Sequence, residues 1–69
     1  MENNTAGEKV RQLRRQEGLS IRGLSEKAGL SYRTLQNVET GVRNLNTASV
    51  RTVKKIAEAL GVSIEEIID

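Results

Sequence analysis

The chain has 69 residues, with 11 Lys and Arg against nine Asp and Glu for a net charge of +2, and apolar residues make up 36% of it. A chain this short holds one small domain that buries only about 60% of the surface its unfolded form exposes, which leaves little room for an enclosed enzyme pocket. Cys and His are both absent, which excludes a disulfide scaffold, a zinc site with Cys or His ligands and a His-based catalytic triad. No apolar run exceeds two residues, so nothing reads as a membrane span. The polar start, Met1 to Thr5, carries no signal-peptide pattern, and the expected location is the cytoplasm. No cofactor is implied.

The small net charge hides an asymmetry. Residues 1–55 carry all 11 basic residues and five acidic ones, a net +6, whereas residues 56–69 carry Glu58, Glu65, Glu66 and Asp69, a net −4. A basic body with an acidic end reads either as a solvated surface of mixed charge or as a basic face for a polyanion. Charge alone does not separate these.

Gly18, Gly29, Gly41 and Gly61 each follow a helix-like stretch, as C-terminal caps do, and no Pro interrupts the chain. They divide it into five expected helices, an all-α bundle. The first runs from about Ala6 to Glu17, with Thr5 and Glu8 in capping-box spacing and Val10 and Leu13 facing inward. The second runs from about Ile21 to Ala28, with Ser20 as N-cap and a buried stripe of Ile21, Leu24 and Ala28. The third runs from about Tyr32 to Thr40 after Ser31, with Leu35 and Val38 inward. Gly41 to Ala48 is the longest irregular stretch. The fourth runs from about Val50 to Leu60 after Ser49, and Val50, Val53, Ile56, Ala57 and Leu60 fit the 3.6-residue period. A short fifth helix, about Ile64 to Ile68, follows Ser63, with Glu66 completing a second capping box. The expected core is aliphatic: Val10, Leu13, Leu19, Leu24, Ala28, Leu30, Leu35, Val38, Leu45, Val50, Val53, Ile56, Leu60, Val62, Ile64 and Ile67. Tyr32 is the only aromatic residue. Residues 1–5 read as a polar tail and residues 6–69 as one domain.

The window Ile21 to Thr40 holds two short helices separated by only Gly29, Leu30 and Ser31. So short a turn makes the helices cross steeply. Ser25 is the small residue such a close crossing requires, and Gly29 can take the left-handed conformation of the turn. Leu24, Leu35 and Val38 fill the angle between them. This is a helix-turn-helix pattern, set within a five-helix chain of suitable length.

With that pattern in view, the stretch from Val10 to Ile68 resembles the lambda-repressor-like (Cro/cI, XRE-type) helix-turn-helix family. The segments LRRQEGLS, LSEKAGLSYRTLQNVETG and VKKIAEALGVSIEEII carry the resemblance in the family's order. It implies a compact five-helix bundle that binds double-stranded DNA, commonly as a homodimer, with the third helix entering the major groove. It further implies base-reading positions at Tyr32, Arg33, Gln36 and Asn37, of which Arg33 suits guanine N7 and O6 and Asn37 suits adenine N6 and N7. Thr40, Arg43 and Asn44, after the third helix, fall where the sugar-phosphate backbone is held. The second helix's N-terminus offers backbone N–H groups to a phosphate. Its first residue, often Gln in the family, is Ile21 here, and the adjacent Arg22 supplies a substitute phosphate contact. Arg14 and Glu39 match an ion pair between the first and third helices. Gly23 stands where relatives have a good helix former, at a cost of roughly 1 kcal/mol relative to Ala.

Simpler readings stand beside these. Arg33, Gln36, Asn37 and Arg43 also read as solvated residues, and Tyr32 as an amphipathic cover for the core edge. Ile64, Ile67 and Ile68 all read as core, yet in so small a chain one left partly exposed would offer a dimer contact. Ser and Thr are plentiful but no base is placed to activate them, and Glu65 and Glu66 sit where carboxylates favour a helix start. No catalytic residue or metal ligand is assigned. The expected function is a sequence-specific DNA-binding transcriptional regulator, a repressor acting on a pseudo-palindromic operator. The alternative is a protein-interaction module on the same fold, antitoxin-like or the partner of a developmental regulator. The outer face of the third helix favours the first, because an interaction module would more often show an apolar face there.

Overall fold

The structure, a computed structural model, describes residues 5–42, 44 and 48–68, with Thr5 in its backbone only. Four α-helices run in order: α1 (Thr5–Gln16), α2 (Ile21–Ala28), α3 (Tyr32–Thr40) and α4 (Val50–Leu60). A single 3-10 turn, Ile64–Glu66, follows. Among the described residues there is no strand and no helix long and apolar enough to cross a membrane. Leu45, Arg43, most of the expected tail and the Thr5 side chain of the first capping box lie outside what is described.

Helix boundaries follow local chemistry. Ser20, Ser31 and Ser49 have extended backbones, and each hydroxyl accepts from the N–H three residues on, Gly23, Thr34 and Thr52. Each serine thereby satisfies one of the donors a helix start leaves without an intrahelical acceptor. The helices end at glycines with positive φ. After α2, the Leu30 N–H reaches back to the Ser25 carbonyl at 2.9 Å, and the same six-to-one closure joins Leu19 to Arg14 and Val62 to Ala57 at 3.0 Å each.

The last element departs from the expected helix. The Ser63 hydroxyl makes no cap bond, and the element is a 3-10 turn of three residues whose last closure is the Ile67 N–H on the Ile64 carbonyl. Three residues are too few to offset helix nucleation. The turn is held instead by Ile67, which is fully buried. The described residues therefore form four α-helices and a terminal turn where five helices were expected.

α2 packs on α3 and α4, α1 packs on α3, and the terminal turn packs on α4. Val10, Leu24, Leu35, Val38, Ile56 and Ile67 are fully buried at the centre. Leu13, Leu19, Ile21, Leu30, Val62, Ile64 and Ile68 are partly buried around it. One expected core residue is on the surface: Val50 is 74% exposed. Its period matches the buried stripe, but it is the first residue of α4, and a period fixes a face without fixing how far the neighbouring helices extend along it. Ala6 and Ala59, outside the expected core, are buried. Such small side chains are what allow backbones to approach closely.

α1 and α3 share the one buried ion pair among the described residues. Glu39, 3% exposed in its side chain, receives Arg14 Nε on Oε2 at 2.6 Å and Arg14 Nη2 on Oε1 at 3.0 Å. Arg14 Nη1 donates to the Leu19 carbonyl at 2.8 Å, and Arg11 Nε lies 3.8 Å from Glu39 Oε1. The hydrogen bond to Glu39 holds the Arg14 guanidinium above its ordinary pKa, against an opposing push from burial, with the Glu39 charge adding to the rise. Arg14 therefore stays charged through and beyond the ordinary arginine range. Removing either partner leaves the other charge buried and should cost about 3–5 kcal/mol in a urea or thermal melt. Arg14→Ala should fall nearer the lower bound, because Arg11 remains beside Glu39. Variants that both melt like the parent would show that the pair contributes nothing.

Gly23 is a second test. An added Cβ would stand 3.3 Å from Ser20 Oγ and 3.6 Å from Leu19 Cδ2. Ser20 Oγ is the cap acceptor for the Gly23 N–H itself, at 2.9 Å, so it cannot retreat without loosening the cap. The helix-propensity gain of about 0.5–1 kcal/mol for Gly23→Ala should therefore be largely offset, leaving Tm close to the parent's. A clear rise in Tm would show that the Ser20 hydroxyl yields at no cost.

Candidate nucleic-acid interface

The angle between α2 and α3 sets the site. Gly29, at φ 71° and ψ 32°, is in the left-handed region that a Cβ disfavours, and from there the chain turns directly into the Ser31 cap of α3. Ser25 is 4% exposed at the crossing. Its hydroxyl donates to the Arg22 carbonyl at 2.7 Å, which satisfies a polar group that would otherwise be stranded. Leu24, Leu35 and Val38, each 0% exposed, close the angle.

With Leu35, Val38 and Glu39 turned inward, the 100° step of the helix leaves Tyr32, Arg33, Gln36 and Thr40 exposed and Asn37 half-buried on the opposite side. The four residues assigned to base reading thus share one outer face of α3. The Thr40 hydroxyl is turned back along the helix and donates to the Gln36 carbonyl at 3.0 Å, so its proton is not directed outward to a phosphate. Asn44 is exposed, and Arg43 lies outside the described residues. Of the three isoleucines weighed as dimer contacts, Ile67 is core, because it is fully buried. Ile64 and Ile68 are half-buried.

Beside this face the starts of α2 and α3 border an open cleft of about 480 Å³ lined by Arg14, Ser20, Ile21, Arg22 and Tyr32. The N–H groups of Ile21 and Arg22 belong to the first turn of α2, where no intrahelical acceptor exists. Donors and guanidinium groups there suit an anion. The Arg22 guanidinium carbon lies over the Tyr32 ring, 5.6 Å from its centroid. Sequence reading missed this contact, because Arg22 and Tyr32 sit on different helices and only the turn brings them together. It also missed Arg11 in the Glu39 cluster, although a signal was present: Arg11 is three residues before Arg14, on the same face of α1. Among the described residues no group of Asp and Glu is arranged to hold a metal ion.

The profile of a helix-turn-helix family matches residues 10–67. The chain is 34% identical over 64 residues to the HTH-type transcriptional regulator SinR of Bacillus subtilis strain 168, covering 91% of this chain and 55% of that protein. It thus spans about half the length of that relative. Among solved structures, the N-terminal DNA binding domain of SinR from Bacillus subtilis superposes with a TM-score of 0.86 at 27% identity, covering 97% of this chain and 94% of that one. SinR in complex with DNA superposes at 0.84 with 28% identity, over 93% and 98% of the two chains. The restriction-modification controller protein C.AhdI from Aeromonas hydrophila superposes at 0.83 with 33% identity, over 93% and 92%. The crossing of α2 on α3, the buried Arg14–Glu39 pair and the agreement of nearly the whole chain with these proteins lead to one assignment: this chain belongs to the lambda-repressor-like (Cro/cI, XRE-type) helix-turn-helix family.

Proposed function

We propose that the chain is a sequence-specific duplex-DNA-binding transcriptional regulator that acts by repression, in the cytoplasm on the nucleoid, and without enzymatic activity. In this reading α3 enters the major groove as part of a homodimer on a pseudo-palindromic operator. The observation that carries it is the outer face of α3, where Tyr32, Arg33 and Gln36 are exposed and Asn37 is half-exposed while the rest of the helix is locked inward. Arg33, Gln36 and Asn37 carry side chains that can pair with base edges in a major groove, on the side of the helix that the core leaves free. Superposition on SinR solved in complex with DNA supports DNA binding on this fold. Arg22 and the first turn of α2 serve a phosphate, and Arg43 and Asn44 serve the backbone beyond α3. Ile64 and Ile68, half-buried beside the buried Ile67, supply the apolar part of the contact between protomers.

Selection of bound sequences from a random duplex library tests this directly. The expected result is a pseudo-palindrome with half-sites about 10–10.5 base pairs apart. No enrichment would remove the reading and leave the face of α3 to a protein partner.

Reading and gripping should separate by mutation. Arg33→Ala should cost about 1–3 kcal/mol on the selected site and flatten the preference at one base position. Arg43→Ala should weaken all sequences nearly equally and reduce the magnitude of the salt slope by about 1 per contact. Titrations of both variants against single-base operator variants check this. The reverse pattern would show that α3 is docked wrongly.

With no His in the chain, affinity should change little between about pH 6 and 8, where no ordinary side chain titrates. Binding isotherms at fixed ionic strength across that range provide the measurement. A large change would reveal a shifted group at the interface.

A further inference from the structure

The Arg22–Tyr32 contact joins the starts of two helices on the surface, outside the core. Arg22 is the second residue of α2 and Tyr32 the first of α3. Tyr32 is 44% exposed, and a ring at a helix start has rotamer freedom unless something restrains it. The Arg22 guanidinium over its ring and the Ile21 wall of the cleft supply that restraint. A guanidinium engages a ring through its flat face, whereas its five N–H donors lie in its plane. Contact with the ring therefore leaves donors available for a phosphate at the start of α2.

We propose that Arg22 is a positioning residue that fixes the direction of Tyr32, so that base preference at the position Tyr32 reads depends on Arg22 as well as on Tyr32. This rests on the DNA-binding reading above. A residue that only gripped phosphate would change affinity for all sequences alike. One that also aims Tyr32 changes preference at a single base position, and it does so only while the ring is present.

Two measurements test it. In the free protein, the side-chain protons of Arg22 should resonate upfield of ordinary arginine values, and Tyr32→Leu should abolish the shift. Tyr32 is the only aromatic residue in the chain, so no other ring could cause the shift. Ordinary Arg22 resonances in the parent would overturn the proposal without touching the DNA reading. The second measurement is a double-mutant cycle on the selected operator and its single-base variants, with melting curves expected to match the parent because both side chains are exposed. Arg22→Ala should reduce discrimination about 2–5-fold, as expected for an exposed cation–π contact, at the same base pair where Tyr32→Ala reduces it. In the Tyr32→Ala background, Arg22→Ala should remove no further discrimination, while still lowering the magnitude of the salt slope. A uniform loss across all sequences on Arg22→Ala, or additive losses in the double variant, would overturn the positioning role and leave the proposed function intact. A parent chain that enriches no sequence would overturn both together.

Discussion

Glu39 carries a negative charge into the interior of a domain with almost no polar interior, on the helix whose other side must stay free. α3 has nine residues, too few to be stable alone in water, and only Leu35 and Val38 offer it a fully buried aliphatic grip. Two aliphatic side chains hold a helix against its neighbours but do little to fix its roll, because apolar contact has no direction. The two-pronged bond from Arg14 has direction. It sets the rotation of α3 about its axis, and the exposed face follows from that rotation. Arg14's third bond, to the Leu19 carbonyl, ties the same guanidinium to the segment leading into α2, so one side chain connects the three helices that shape the site.

The α2–α3 crossing is the second constraint, and its parts depend on one another. Gly29 permits the left-handed turn, Ser25 permits close approach, and the bond from the Ser25 hydroxyl to the Arg22 carbonyl keeps that approach free of an unsatisfied group. The crossing also brings Arg22 to Tyr32. The fold thus places a phosphate-suited helix start beside a base-suited helix face, which is the arrangement groove recognition requires. Ile21 takes the place where relatives often carry Gln. In this chain the link between α2 and the start of α3 is an arginine over a ring, with an aliphatic wall beside it.

Stability in so small a domain leaves little margin. The described core is built of Val, Leu, Ile and Ala with no aromatic residue, and the ends of α2, α3 and α4 are closed by serines at one side and glycines at the other. Local closure of this kind means each helix depends less on its neighbours to satisfy its terminal groups. It also explains why the bounds of α2, α3 and α4 were legible from the chain. The start and end signals are in the backbone-bonding residues themselves, and Ser20, Ser31, Ser49, Gly29, Gly41 and Gly61 act within four residues of where they stand.

What the amino-acid sequence determined by itself is therefore everything governed by short range or by period. The helix segments, the inward stripe of Leu24, Ala28, Leu35, Val38, Val53, Ile56 and Leu60, the turn at Gly29 and the family resemblance all belong here. Tertiary structure decided the rest. Val50 keeps the period of the buried stripe but lies in the first turn of α4, where it is left exposed. Ile64 to Ile68 carries helix-like signals over too short a run to nucleate, and the burial of Ile67 holds it as a turn. The Thr40 hydroxyl, legible as a phosphate donor by position, spends its proton on its own helix. Arg22 and Tyr32 are ten residues apart and meet only because two helices cross. In each case the outcome depends on which atoms lie across the gap between elements, a distance that no local pattern encodes.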